Sequence, residues 1–130
     1  MRKLAIHVGA SLFDRSPYRD APPAAIPAAA ADACKLAAMT REAGFIAVAI
    51  VGQRATRQAV IDVIADVRDN VNAGDLVVLT FSGHGAEHSD ARRTSPRARP
   101  DGANNRYPRD EPGGFDQSWC LRDGVLIDDD

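Results

Sequence analysis

Three observations predict an α/β domain built on a mainly parallel sheet. Short apolar runs at Lys3 to Gly9, Phe45 to Val51 and Leu76 to Phe81 alternate with two longer stretches of helical spacing. Glycines, Gly44 and Gly74, follow those stretches and can close each helix through a left-handed cap. The third apolar run, Asp75-Leu76-Val77-Val78-Leu79-Thr80-Phe81, breaks into Ser82-Gly83-His84-Gly85. Such a continuous run reads as a strand buried on both faces of a parallel sheet.

The first strand ends at Gly9-Ala10-Ser11. Residues 12–27 hold Pro17, Pro22, Pro23 and Pro27, which exclude regular structure. Pro27 suits a first helical turn because its φ is already set. A helix over 28–42 follows, with Ala33, Leu36, Ala37 and Met39 as its apolar face. Phe45 to Val51 is the second strand. Thr56 is placed to cap the next helix, where Val60, Val63, Ile64, Val67 and Val71 recur at helical spacing. The order β-α-β-α-β implies parallel strands joined by right-handed crossovers.

Beyond His84 the pattern changes. Residues 86–114 carry Arg92, Arg93, Arg97, Arg99, Arg106 and Arg109 among prolines, glycines and acids, without apolar periodicity. This reads as a long solvated loop. Order resumes at Phe115, and Trp119 to Leu121 and Val125 to Ile127 flank Asp123-Gly124 as a hairpin with a type I′ turn. The sequence then runs into Asp128-Asp129-Asp130, an unfinished pattern for a strand.

Composition narrows the function. The 130 residues suit one domain with a real core. A net charge of −2 creates no field directed at nucleic acid or an anionic membrane. Cys34 and Cys120 stand far apart without metal-ligand spacing, which fits a reducing, cytoplasmic setting rather than a disulfide framework. The N-terminal apolar run is too short for a signal peptide, and nothing approaches a membrane-spanning length.

His84 is the residue that most directly implies chemistry. Ligands of open α/β sheets bind beyond the carboxyl ends of strands, and an imidazole there reads as a general base or acid. Its alternative is a satisfied histidine in a glycine-rich turn. His84 and His88 stand four apart, as zinc ligands do on a helix, but Gly85 and the strand-end context oppose a helix there. The turn after the first strand has no phosphate-binding glycine motif.

Several elements follow one another in a fixed order. They are the first strand into Gly9, Asp32-Ala33-Cys34 in the alanine-rich segment, and Arg54-Ala55-Thr56-Arg57 before the second helix. Then come Thr80-Phe81-Ser82-Gly83-His84-Gly85, Gly114-Phe115-Asp116-Gln117-Ser118-Trp119-Cys120-Leu121 and Asp123-Gly124-Val125-Leu126-Ile127-Asp128-Asp129. In this arrangement the chain resembles the caspase-like cysteine peptidases, specifically their bacterial metacaspase-like branch. The resemblance covers nearly all of residues 1–130, as the N-terminal portion of the peptidase domain. It implies a caspase-like three-layer α/β/α fold, incomplete at the C-terminus, and hydrolysis of peptide bonds after Arg or Lys.

By the same resemblance, His84 matches the catalytic histidine that activates a cysteine thiolate, and Gly85 the backbone donor to the oxyanion. Asp32 and Ser82 match positions lining the pocket for the basic residue before the cut. Asp116, Asp128 and Asp129 match three carboxylates that bind calcium, and no organic cofactor is implied. The partners implied are protein or peptide substrates. Each assignment has a simpler counterpart: a helix-dipole role for Asp32, a turn bond for Ser82, a solvated acidic end for Asp128 to Asp130.

The family's nucleophile follows a further buried strand in an Asp-x-Cys-His-Ser-Gly motif, which is expected beyond residue 130. Cys120 does not match that motif, and Cys34 reads as helix packing. The alternative to a peptidase is a catalytically inactive caspase-like binding module.

Overall fold

The computed structural model describes residues 1–89 and 115–127. Three parallel strands form the main sheet: β1 (Lys3–Gly9), β2 (Ile46–Val51) and β3 (Leu76–Ser82), in the order β2-β1-β3. Two helices connect them, α1 (Pro27–Glu42) and α2 (Arg57–Asn70). β4 (Gly85–Ser89), β5 (Phe115–Leu121) and β6 (Gly124–Ile127) form a second, antiparallel sheet. The α/β class and the parallel sheet are therefore as the periodicity predicts.

β1 is paired on both edges, with Gly9 standing between Val51 and Ser82. Its two faces bury different residues. Ile6, Val8 and Ala10 pack with Val60 of α2 and with Leu121 of β5. Ala5 packs instead with Ala37 of α1 and Ala47 of β2. Gly9 shares the α1 face, and a methyl there would strike the Ala29 carbonyl and come within 2.9 Å of the Ala33 Cβ. Ala29, Ala33 and Ala37 are the buried stripe of α1, spaced at i, i+4. Met39, expected on this face, is 63% exposed.

Local signals place the helix ends. Pro27 opens α1, and Gly44 takes φ 85° just beyond its end. Thr56 Oγ1 accepts the Ala59 N–H at 3.2 Å and caps α2. Asp123 from the hairpin adds a second cap by accepting the Arg57 N–H at 2.8 Å. Gly74, expected to close α2, lies beyond its end and takes φ 92° in the turn into β3.

Three expectations are corrected. β3 is not buried on both faces: Leu76, Val77 and Leu79 are exposed, the last by 42%. The reason is topological, since β3 pairs only with β1 among the described residues. Residues 86–89, expected within the solvated loop, belong to β4, because β5 offers them an antiparallel partner. The Arg-rich residues from 90 to 114 lie outside the described residues. The β5–β6 hairpin is present, but Leu121 pairs with Gly124 and the two-residue connection is Arg122-Asp123. Type I′ needs positive φ at both central residues, and here only Gly124 has it, at 136°.

His7 is fully buried between the sheet and α1. The Thr40 hydroxyl donates to the Leu36 carbonyl at 2.9 Å, so its oxygen accepts from His7 Nε2–H at 3.0 Å. His7 Nδ1 is then the bare nitrogen and accepts from the Thr80 hydroxyl at 2.7 Å. Burial, and secondarily the Arg41 charge, lower its pKa from the ordinary 6.5. The folded state thus binds fewer protons than the unfolded chain below that pH.

Two outcomes are expected. Gly9→Ala should lower unfolding free energy by about 2–3 kcal/mol, because backbone rather than a flexible side chain must give way; denaturant titration reads this. The stability contributed by neutral His7 should be complete above pH 6.5 and lost as pH falls through its lowered folded value. Unfolding free energy measured from pH 7.5 to 5 should fall less steeply in His7→Gln than in the parent.

Candidate active site

His84 lies two residues beyond the end of β3, between Gly83 and β4. A side chain at Gly83 would meet the Phe81 ring at 2.8 Å and the Ala10 Cβ at 3.1 Å. The chain can therefore turn close against the end of β1 only with glycine there. The backbone of His84 is held from β5, whose Cys120 N–H donates to the His84 carbonyl at 2.9 Å.

The imidazole is oriented from a different element. His84 Nε2 lies 2.9 Å from the Ala24 carbonyl, which can only accept. Nε2 therefore carries the proton, and in the neutral ring Nδ1 holds the free lone pair. The Phe13 ring packs against the imidazole with centroids 5.6 Å apart. Nδ1 has no hydrogen-bond partner among the described residues, so it is free to take a proton from a group brought against it.

Gly85 opens β4 opposite Trp119. Antiparallel pairs alternate between hydrogen-bonded and open. The Cys120–His84 bond makes the next pair, Gly85–Trp119, an open one. The Gly85 N–H is consequently directed away from β5, as a donor to a ligand must be.

Asp32 and Ser82 lie in the α1 layer over the carboxyl end of the sheet. Ser82 pairs with Gly9 and falls on the same face of β3 as Thr80, two residues before it. Asp32 shares a helix flank with Leu36 and Thr40, and Thr40 is the residue that reaches His7 beside β3. The opposite flank faces β2, where Arg41 donates to the Ala47 carbonyl at 2.9 Å. Asp32 is exposed and stands in the second turn of α1, outside the first turn where a helix-dipole role is strongest.

Asp116 stands in β5 opposite His88, with its side chain outside the description. Asp128 and Asp129 lie outside the described residues. Among the described residues, no group of three or more His, Cys, Asp or Glu side chains could hold a metal.

Cys120 is close to His84 along the backbone but unsuited to attack. It is 4% exposed, and its thiol lies against the Tyr18 hydroxyl. Burial pushes the thiol pKa up, which holds it in the unreactive protonated form. Cys34, expected to serve helix packing, is instead exposed on α1. An apolar groove of about 450 Å³ runs between α2 and the hairpin, past Ile61, Ile64, Trp119 and Leu126. It contains none of the candidate site residues.

The caspase domain family matches residues 2–123. The chain belongs to that family. The crystal structure of protein GSU0716 from Geobacter sulfurreducens is similar to it, with 33% sequence identity and a TM-score of 0.77. That likeness covers 99% of this chain and 42% of the Geobacter chain, so the described caspase domain spans less than half of that protein's length. No curated protein matches the chain.

Sequence reasoning missed Ala24 and Phe13. Ala24 acts through its carbonyl, so its side chain carries no signal, and Phe13 sits in a proline-rich loop without periodicity. In the folded protein, iodoacetamide should label Cys34 and spare Cys120 until denaturant is added, as read by peptide mass spectrometry. Equal native labelling of both would contradict the burial of Cys120.

Proposed function

We propose that this caspase domain supplies the histidine half of a Cys–His endopeptidase of the bacterial metacaspase-like branch. The nucleophilic cysteine would come from residues following Asp130, and the domain would complete the three-layer α/β/α fold of the family. The observation that carries this reading is the orientation of His84, with Nε2–H on the Ala24 carbonyl and Nδ1 bare.

In this scheme Nδ1 takes the proton from the incoming thiol, and the thiolate attacks the peptide carbonyl carbon. The carbonyl oxygen, now negative, is held by the Gly85 N–H. As the C–N bond breaks, the imidazolium returns its proton to the leaving amine. Water, deprotonated by the same Nδ1, then hydrolyses the thioester and frees the thiol. The Ala24 carbonyl supports the charged ring through Nε2–H at both steps.

Asp32 and Ser82 would receive an Arg or Lys side chain before the scissile bond. A carboxylate meets a guanidinium or ammonium there with a charge-assisted bond. Calcium would be held by Asp116, Asp128 and Asp129, oxygen ligands of the kind that this hard cation takes. The site would work on protein or peptide substrates in a reducing cytoplasm.

A second reading is a caspase-like binding module without hydrolysis. Its support is the chemistry of the two cysteines, since Cys120 is locked away and Cys34 lies on α1.

The deciding experiment is hydrolysis of an Arg-containing fluorogenic peptide by the full-length protein from its native source, with its intact mass recorded. His84→Ala should reduce kcat/KM by at least about 10²-fold, the range of a lost general base. Activity unchanged in that variant rejects His84 as the base. Absence of hydrolysis by the parent, with and without added calcium, favours the binding module.

A further inference from the structure

The loop between β1 and α1 does more than connect them. Its residues Phe13, Tyr18 and Ala24 all converge on the surroundings of His84. Ala24 holds the imidazole Nε2–H, and Phe13 touches both the His84 ring and, edge-on at 6.1 Å, the ring of Tyr18. The Tyr18 hydroxyl donates to the Leu121 carbonyl and lies against the Cys120 thiol. Cys120 is the residue whose N–H holds the His84 carbonyl. Tyr18 therefore joins the loop that orients the imidazole to the strand that holds its backbone.

We infer that Tyr18 is a positioning residue for His84, its hydroxyl acting as a latch that registers the Ala24 carbonyl against β5. The inference rests on His84 being the catalytic base, and it assigns a role to a residue that never touches substrate.

Two further features of the loop fit a latch. Arg19 and Asp20, directly after Tyr18, both take left-handed backbone conformations, with φ of 51° and 61°. Consecutive non-glycine residues there are strained and persist only where the surroundings enforce them. The enforcing bonds cluster around Tyr18: Arg19 N–H to the Ser16 carbonyl, Asp20 N–H to the Arg15 carbonyl, and Ala21 N–H to the Tyr18 carbonyl. The reversal they impose sends the chain back toward Ala24. Burial raises the phenol pKa well above its ordinary value, so the hydroxyl stays a donor at any pH where the protein works.

The loop has a second tie to the hairpin, which makes a control available. Arg122 donates to Asp14 Oδ1 at 3.2 Å and to the Gln53 carbonyl at 2.9 Å. These bonds hold the hairpin without passing through Tyr18 or Ala24.

The test reads the imidazole itself, in the full-length protein labelled with ¹⁵N-histidine, by long-range ¹H–¹⁵N correlation. In the parent, the neutral His84 ring should show one protonated nitrogen, Nε2, and one bare nitrogen, Nδ1. In Tyr18→Phe the two resonances should shift toward each other as the second tautomer becomes populated. In Arg122→Gln the melting temperature should drop while the His84 nitrogens stay put. If Tyr18→Phe is not folded in buffer, the spectra are recorded with trimethylamine N-oxide, which favours the compact state.

An unchanged tautomer in folded Tyr18→Phe overturns the inference. So does an equal shift in Arg122→Gln, which would make the effect one of general loosening. Neither outcome depends on turnover, so an inactive protein would refute the peptidase reading and leave the latch to be judged separately.

Discussion

The close approach of α1 to β1 sets the geometry on which the site depends. Gly9 lies against the Ala29 carbonyl and the Ala33 methyl, leaving no space for a Cβ. Small residues along α1, together with Ala5 and Ala47 on the sheet, bring helix and strands together over several turns. Once α1 is seated, the chain leaving Ser11 must return to Pro27, and the Ile26 N–H bonds the Ser11 carbonyl. Residues 12–26 then form a closed excursion over the carboxyl end of the sheet. That path carries the Ala24 carbonyl to His84.

The hairpin supplies the second anchor, and the magnitudes show which contacts hold it. Leu121 is fully buried among Ile6, Val8 and Val60, and such a side chain stabilises the fold by about 1.5–3 kcal/mol. Trp119 adds a stack on Phe81, with centroids 4.5 Å apart and rings 5° from parallel. The partly exposed Arg122–Asp14 pair contributes about 0–1 kcal/mol. Apolar packing therefore seats β5, while the polar ties set its register against the loops. Rigid seating matters because β5 holds the His84 backbone and is the partner that turns the Gly85 N–H outward.

His7 and His84 show how little residue type alone decides. His7 is enclosed, both nitrogens are taken by threonine hydroxyls, and burial disfavours its charged form. His84 is partly exposed and commits one nitrogen to a carbonyl, leaving the other open. The first arrangement spends every hydrogen-bonding group on packing the α1 layer. The second leaves one basic atom available, which is the condition for proton transfer.

Much of the fold was legible because its causes are local. Helical spacing marked α2, Thr56 marked its cap, Gly44 marked the end of α1, and the glycines around His84 marked a strand end. The exposure of β3, the pairing of β4 with β5 and the true hairpin connection were not legible, because each depends on a partner distant in the chain. Family membership followed from the order of motifs, since that order is itself a property of the sequence. The placement of Asp32 and Ser82 in one layer, the withdrawal of Cys120 from chemistry and the orientation of His84 by Ala24 were decided only by tertiary structure. Sequence by itself determined which residues could carry chemistry, through their side-chain types and strand-end positions. Which of them are free to act was decided by burial and backbone hydrogen bonds, formed when segments remote in sequence pack together.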